Sequence, residues 1–191
     1  MVRRLVQLTI AMGIAFSGSV AFAAPASAGT NVLVNGSFEW PRPRGAATSR
    51  SFDVGQHVGA WTVTAGSVVT TTDSPPFETP PVGVQAMNLR PGLEVGEGEI
   101  CQTVSGLVAG GSYKVRLLAG SVIQSSTIDV TFGGAPVAHL DLVGALPAVF
   151  KLYVWTVTAP ANEAVFCLHG KPVEDYGFPI VDAVRIKPIS G

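Results

Sequence analysis

The fold is indicated most clearly by the stretch Ser112-Tyr113-Lys114-Val115-Arg116-Leu117-Leu118. Apolar and charged side chains alternate in it, so that Tyr113, Val115 and Leu117 share one side of an extended chain while Lys114 and Arg116 share the other. A period of two residues is typical of a strand with one face on a core and one face in water, whereas a helix needs apolar positions three and four residues apart. This stretch therefore predicts a half-buried β-strand.

Short runs of the same kind recur along the chain, and no segment of ten or more residues has the apolar spacing of a helix. Gly, Pro, Asn and Ser separate the runs, for example at Gly110-Gly111 and Gly133-Gly134. About ten short strands in one domain predict an all-β fold, an antiparallel β-sandwich or jelly roll. The predicted strands are Val32–Val34, Trp61–Ala65, Ser67–Thr71, Val84–Leu89, Glu99–Val104, Ser112–Leu118, Thr127–Phe132, Val137–Leu142, Val149–Thr158, Ala164–His169 and Ile180–Ile186.

Three of the remaining segments indicate where the core and the loops lie. Val149–Thr158 has apolar residues on both sides, which predicts a central strand covered on both faces. Residues 41–57 and 72–83 are rich in Pro, Ser and Arg, and we expect them to form long loops. Binding sites on a rigid sandwich commonly lie on such loops.

Residues 1–28 predict a secretory signal peptide. Arg3-Arg4 comes before a mostly apolar run, Leu5–Ala24, and Ala26-Ser27-Ala28 offers small residues at both positions that a signal peptidase reads. We therefore expect a secreted, extracellular protein whose mature chain is a single domain of residues 29–191.

The charge balance disfavours two classes of partner. The whole chain has 12 Lys and Arg against 13 Asp and Glu. Removal of residues 1–28 also removes Arg3-Arg4, which leaves ten basic residues against thirteen acidic ones and a net charge of −3. Nucleic acids and anionic membrane surfaces bind clustered basic residues, so we expect neither as a partner.

The chain has two cysteines, Cys101 and Cys167. In an oxidising compartment, an even pair in one small domain predicts a disulfide bond. The alternative is a pair of buried thiols that act as small hydrophobic side chains. Neither cysteine lies in a Cys-x-x-Cys or nucleophile motif, so we expect no catalytic cysteine.

Several motifs, taken in order, resemble the secreted "choice-of-anchor C" proteins and the related plant cell-wall proteins with domain of unknown function 642. Those proteins belong to the galactose-binding-like jelly rolls. The resemblance spans nearly the whole mature chain. It implies a β-sandwich that binds cell-wall or other extracellular polysaccharide without cleaving it. The motifs are Asn31–Glu39, Ala60–Val63, Gly66–Val68, Gly83–Leu89, Ile100–Val104, Tyr113–Val115, Leu118–Gly120 and Tyr176–Val184.

The same resemblance implies a structural calcium ion. Galactose-binding-like modules often hold Ca²⁺ between a Glu shortly after the first strand and an Asp in the last strand. Glu39 and Asp182 occupy the matching places here, and Ca²⁺ takes six to eight hard oxygen ligands. The alternative is that Glu39 caps backbone amides and that Asp182 pairs with a nearby Arg or Lys.

A sugar site needs an exposed aromatic ring beside polar groups, because a pyranose has an apolar face and a rim of hydroxyls. Trp61 and Trp155 lie in apolar strand patterns, so we expect them in the core. Trp40 opens the first long loop and Tyr176 precedes the last strand. With Arg90 as a hydrogen-bonding partner, Trp40 and Tyr176 form the predicted binding platform. The alternative is that these rings pack the loops down.

No sequence motif indicates catalysis. The chain has no Gly-x-Ser-x-Gly elbow, no His-Glu-x-x-His helix and no phosphate loop. Its histidines, His57, His139 and His169, are too far apart for a zinc-ligand spacing. Glu97 and Glu99 are acids of the kind that glycosidases use, but we expect them in a solvated turn. We therefore expect a non-catalytic carbohydrate-binding module; the alternatives are a structural or protein-interaction module of the cell envelope and, third, a hydrolase with an unrecognised site.

Overall fold

A computed structural model describes residues 30–45, 47–72, 79–90, 96–173 and 175–189. The predicted signal peptide, residues 1–28, lies outside them. The described residues contain twelve strands and no helix, so no helix among them is long and apolar enough to cross a membrane. The strands are β1 Ser49–Asp53, β2 His57–Val58, β3 Trp61–Thr72, β4 Gln85–Asn88, β5 Gly98–Ser105, β6 Ser112–Ile123, β7 Ser126–Phe132, β8 Ala135–Leu142, β9 Gly144–Ala145, β10 Lys151–Thr158, β11 Glu163–Pro172 and β12 Gly177–Pro188.

The strands form two layers that share the long strand β3. One layer has the order β10-β6-β12-β4-β3-β1, and the other has the order β2-β3-β5-β11-β7-β8. These pairings are antiparallel, and the two-residue strand β9 adds a parallel pairing to β6. The predicted all-β antiparallel sandwich is therefore confirmed.

A change of register and a glycine take β3 from one layer to the other. Its first half pairs with β5, with a shift in register between Val63 and Ala65, and its second half pairs with β1 and β4. Gly66, between the halves, has a φ of +58°, a backbone conformation that glycine adopts without steric cost. A Cβ atom there would collide with the carbonyl oxygen of Glu97.

The core lies between the two layers. Trp61 is fully buried in it, with its ring centroid 5.5 Å from that of Phe38 and 6.1 Å from that of Phe166. Burial of such large rings is a major source of stability in a domain of this size. Trp155 is partly buried and packs against the same cluster. Trp61 is thus in the core, as predicted, whereas Trp155 lies at the margin of the core and not in it.

The first described residues lie along the last strand. The amide of Val32 donates to the carbonyl of Ile186 at 2.9 Å, and the amide of Ile186 donates to Asn31 Oδ1 at 2.8 Å. The amide of Val184 donates to the carbonyl of Gly36 at 2.7 Å. Residues Val32–Val34, predicted as a strand, are not one of the twelve strands. Hydrogen bonds nevertheless fix their segment against β12.

Two further predictions about the strands are wrong. Val149–Thr158 is not central: β10 is the edge strand of its layer, and Leu152 and Val154 are 52% and 47% exposed. Residues 41–57 are not all loop, because they contain β1, which pairs with β3 and buries Phe52.

Candidate functional site

The side chain of Asn35 anchors the turn that carries Trp40. Its Nδ2 donates to the carbonyl of Trp40 at 2.5 Å and to that of Val58 at 3.3 Å, while its Oδ1 accepts from the amide of Trp40 at 3.2 Å. The indole of Trp61 donates to the carbonyl of Asn35 at 3.1 Å and so joins the turn to the core. The Trp40 side chain, on this fixed backbone, is 66% exposed.

Asn35 also lines a polar cavity of about 280 Å³. Asn31, Ser37 and Arg185 line it with amide, hydroxyl and guanidinium groups. We call this cavity together with Trp40 the rim site. Arg185 was not predicted as a binding residue, because the bulge between Asp182 and Arg185 breaks the alternation of β12 and hides which way the side chain faces.

Glu39 lies next to Trp40 and fixes the backbone before β4. Its Oε1 accepts from the amide of Val84 at 2.9 Å and from that of Gln85 at 3.1 Å. The expected alternative, that Glu39 caps backbone amides, is therefore observed. Its other oxygen, Oε2, lies 3.8 Å from the exposed guanidinium of Arg42. A Cβ atom on Gly83 would collide with the Glu39 carboxylate, so Gly83 leaves the space that this carboxylate occupies.

Asp182 binds the same segment from the opposite strand and is fully buried. Its Oδ2 accepts from the amide of Val82 at 2.9 Å, and its Oδ1 accepts from the amide of Ala183 at 2.5 Å. Burial, helped by the negative charge of Glu39, raises the pKa of Asp182 to about 7 against the effect of these two hydrogen bonds. The carboxylates of Glu39 and Asp182 thus both bind residues 82–85, and the carboxylate of Asp182 is shielded from water.

Gln85, whose backbone amide binds Glu39, carries a third side-chain oxygen. Its side chain is fully buried and its Nε2 donates to the carbonyl of Phe38 at 2.9 Å. Its Oε1 has no hydrogen-bond partner among the described residues, and a buried polar atom without a partner is costly. Two carboxylates and an amide oxygen are the donors that Ca²⁺ prefers, so Glu39, Asp182 and Gln85 fit that ion.

The predicted three-residue platform does not form. Arg90 is fully buried: its Nη1 donates to the carbonyl of Gly177 at 3.1 Å and its guanidinium lies 5.2 Å from the centre of the Phe178 ring. The prediction that Arg90 contacts a ligand is therefore wrong, because the Arg90 side chain has no exposed surface. It stabilises the start of β12 instead.

Tyr176 is exposed, but it lies away from Trp40. Its ring is 47% exposed and its amide donates to Gln124 Oε1 at 2.7 Å. Tyr176 comes directly before β12, whereas Trp40 follows Glu39, whose charge acts on Asp182. Asp182 is five positions along β12 from Gly177, a length of about 17 Å. Trp40 and Tyr176 are therefore two separate exposed rings.

The outer face of the second layer has a second group of polar side chains. Glu99 on β5, His169 on β11, Asp129 on β7 and His139 on β8 lie directly opposite one another in four neighbouring strands. His139 Nδ1 donates to Asp129 Oδ1 at 2.5 Å, and the hydroxyl of Thr64 donates to Glu99 Oε1 at 2.5 Å. The hydrogen bond to His139 lowers the pKa of Asp129 and raises that of His139.

These side chains line an open cleft of about 460 Å³, which we call the outer cleft. The predicted disulfide between Cys101 and Cys167 is confirmed and lies beside them; Cys167 is part of the lining. Pro136, Val137 and Ala138 provide an apolar wall. Glu99 is thus part of a strand and a cleft, and the prediction of a solvated turn is wrong for it.

Comparison with solved structures places the chain among β-sandwich domains. A family 61 carbohydrate-binding module in complex with β-1,4-galactotriose is 15% identical, with a TM-score of 0.54 over 84% of this chain and 99% of that one. The enzymatically active domain of tailspike protein 4 of bacteriophage CBA120 is 17% identical, with a TM-score of 0.50 over 83% of this chain and 21% of that one. A Clostridium thermocellum xylanase 10B fragment with a CBM22 module, in complex with xylohexaose, is 12% identical, with a TM-score of 0.50 over 69% of this chain and 26% of that one.

At these identities the likeness concerns the fold. It agrees with the jelly roll that the sequence resemblance implied. No protein-family model and no curated protein sequence matches the chain.

Proposed function

We propose that this protein is a secreted, non-catalytic carbohydrate-binding module that recognises extracellular or cell-wall polysaccharide at the rim site. The observation that carries the proposal is the exposed indole of Trp40 on a backbone that Asn35 fixes from both sides. A pyranose face stacks on such a ring. The side chains of Asn31, Ser37 and Arg185 then bind the hydroxyls at its edge.

The fixed turn keeps the indole of Trp40 exposed and also favours ligand binding. A loop that is already ordered loses little conformational entropy when a ligand binds, so more of the contact energy appears as affinity. Affinity then depends on how well the ring and the three polar groups match the sugar.

The proposal includes membership in the choice-of-anchor C and domain of unknown function 642 group, on the ordered motifs of the sequence. It also includes the absence of enzymatic activity. The carboxylates beside the rim site, Glu39 and Asp182, accept hydrogen bonds from backbone amides, which suits a structural role. A glycosidase instead needs two carboxylates across a cleft that holds the substrate.

Replacement of Trp40 by alanine tests the rim site. We expect Trp40→Ala to weaken binding to the best polysaccharide of a glycan array by at least tenfold, because the stacking surface is lost. The side chain is exposed, so the melting temperature should change little. Isothermal titration with a soluble oligosaccharide measures the affinity.

Tyr176→Ala is the matched comparison, because it removes the other exposed ring. It should leave the affinity unchanged if the rim site is the recognition surface. If Tyr176→Ala lost affinity while Trp40→Ala bound normally, the recognition surface would lie at Tyr176, directly before β12, and not at the rim site. Absence of binding to every plant, fungal and bacterial wall polymer would contradict the proposed function.

We also propose a structural Ca²⁺ ion held by Glu39, Asp182 and Gln85. The ion would neutralise the two carboxylates and give the unpartnered Gln85 Oε1 a ligand bond. Bound to them, it would fix residues 82–85 and the turn of Trp40 in place.

Calcium should stabilise the protein in a pH-dependent way. Without the ion, the folded state holds the Asp182 proton more tightly than the unfolded state, so stability falls as pH rises from about 4 to about 7. Calcium needs the charged carboxylate. We therefore expect Ca²⁺ to raise the melting temperature by about 5 °C or more at pH 8 and by little at pH 5, as measured by calorimetry.

The Asp182→Asn variant removes the buried negative charge that the proposed ion needs. The variant should lose the response to Ca²⁺, and without the ion its stability should no longer fall as pH rises from about 4 to about 7, because the new side chain does not titrate. Mg²⁺ serves as the control ion, since it favours a smaller, octahedral set of ligands. An equal response to Ca²⁺ in Asp182→Asn and the native protein would contradict this site.

The alternative function, a structural or protein-interaction module, is favoured by one observation. β10 is an unprotected edge strand with Leu152 and Val154 exposed, and such an edge can pair with a strand of another chain. A Val154→Lys variant would disrupt such pairing. A change in molar mass by light scattering in this variant, together with no glycan binding by the native protein, would favour the alternative.

A further inference from the structure

The outer cleft carries an excess of negative charge. Glu99 and Asp129 line it, and Glu97 and Asp141 stand beside the two histidines: Glu97 Oε2 is 2.8 Å from His169 Nε2, and Asp141 Oδ1 is 3.5 Å from His139 Nε2. Among the described residues, one cation other than histidine joins this group, Lys171, whose Nζ is 3.1 Å from Asp129 Oδ2. Four carboxylates thus share one lysine and two histidines, so the group keeps an excess of negative charge even where both histidines are protonated.

The two outermost carboxylates are open to a ligand. The side chains of Glu97 and Asp141 are 54% and 88% exposed, whereas those of Glu99 and Asp129 are 29% and 33% exposed. The inner pair is held in place by Thr64, His139 and Lys171. The cleft therefore presents two fixed acids, with two accessible acids beside it.

His169 pairs with one of the accessible acids. Its Nε2 is buried and lies 2.8 Å from Glu97 Oε2, and its Nδ1 lies 4.0 Å from Glu99 Oε2. The ring thus holds Glu97 next to the inner pair of acids.

We propose that the outer cleft is a second binding site, distinct from the rim site, and that it takes glycans with free, protonated amino groups. An ammonium group donates up to three hydrogen bonds, and charge-assisted bonds to carboxylates are the strong ones. The apolar wall of Pro136, Val137 and Ala138 suits the C–H face of the sugar ring. Acidic glycans are disfavoured, because like charges across an interface are costly.

Three hexasaccharides test this site at about pH 6, where amines of this type are largely protonated. They are β-1,4-linked glucosamine, its N-acetylated counterpart and galacturonic acid. By isothermal titration at low salt, we expect the glucosamine hexamer to bind about fivefold or more tightly than the acetylated one, and the galacturonic acid hexamer to bind least. The preference should shrink at high salt.

Glu99→Gln and Asp129→Asn should each remove most of this preference. Glu163→Gln is the matched control: Glu163 is on the same strand as His169, six residues away or about 20 Å along β11, and hydrogen-bonds to Ser105. It changes the net charge equally and should keep the preference. Melting temperatures confirm that all three variants are folded.

Trp40→Ala distinguishes this site from the rim site and should keep the preference for the amino sugar. Four results would overturn the inference: equal binding of the three hexamers, no binding of the glucosamine hexamer, an equal loss in Glu163→Gln, or loss of the preference in Trp40→Ala. The first three would leave the proposed function at Trp40 standing, and the last would place the preference at the rim site.

Discussion

Replacement of both Cys101 and Cys167 by serine is expected to lower the free energy of unfolding by about 4 kcal/mol. The two cysteines are directly opposite each other on β5 and β11 and are 66 residues apart in sequence. The strand ladder already holds them together in the folded state. The bond therefore acts mainly by limiting the freedom of the unfolded chain, and this effect grows with the length of the closed loop.

Urea denaturation of the native protein, oxidised and reduced, and of the double serine variant measures this effect. The reduced protein and the variant should be destabilised by similar amounts, and their folded structures should match that of the oxidised protein. A loss below about 1 kcal/mol in both would contradict the chain-entropy explanation. A loss in the variant alone would assign the effect to packing around the serine side chains.

The positions of the strands follow from local alternation, and this is why most of them could be predicted. β6 and β11 each have a period of two with one buried face, a pattern that depends on the strand alone. β1 was missed because its sequence, Ser49–Asp53, has a single buried apolar residue, Phe52. Its pairing with β3 supplies the order that its own sequence does not indicate.

The position of a strand within its sheet could not be predicted from local alternation. Both sides of β10 are apolar, which is typical of a central strand, yet it is an edge strand. Which neighbours cover a strand depends on the connections between strands, and local sequence does not encode them. Arg90 illustrates the same limit: it follows a strand as a surface arginine would, but the ring of Phe178 and the carbonyl of Gly177 enclose it.

The proposed calcium site and the outer cleft differ in how far the sequence indicates them. Glu39 and Asp182 lie in motifs at the two ends of the domain, and the family resemblance was enough to pair them. The outer cleft draws Glu99, Asp129, His139 and His169 from four strands. Each of these residues is unremarkable in sequence, because only the register of the ladder brings them into one row.

Replacement of Gly36 by alanine is expected to destabilise the fold by about 3 kcal/mol. Gly36 lies against β12 so closely that a Cβ atom would collide with the carbonyl oxygen of Val184. That carbonyl belongs to backbone, so it cannot move aside as a flexible side chain could. Separation of the two segments would also lengthen the hydrogen bond from the amide of Val184 to the carbonyl of Gly36, now 2.7 Å.

Gly36 lies within the turn of Asn35 and Trp40, so Gly36→Ala should displace the rim site as well as lower the melting temperature by about 10 °C. Gly45→Ala is the control, because a Cβ atom there meets nothing within 4 Å although φ is +62°; it should cost about 1 kcal/mol for backbone conformation alone. Thermal unfolding and glycan titration of both variants give the comparison. Equal effects of the two substitutions would show that the contact between Gly36 and β12 is not what holds the turn.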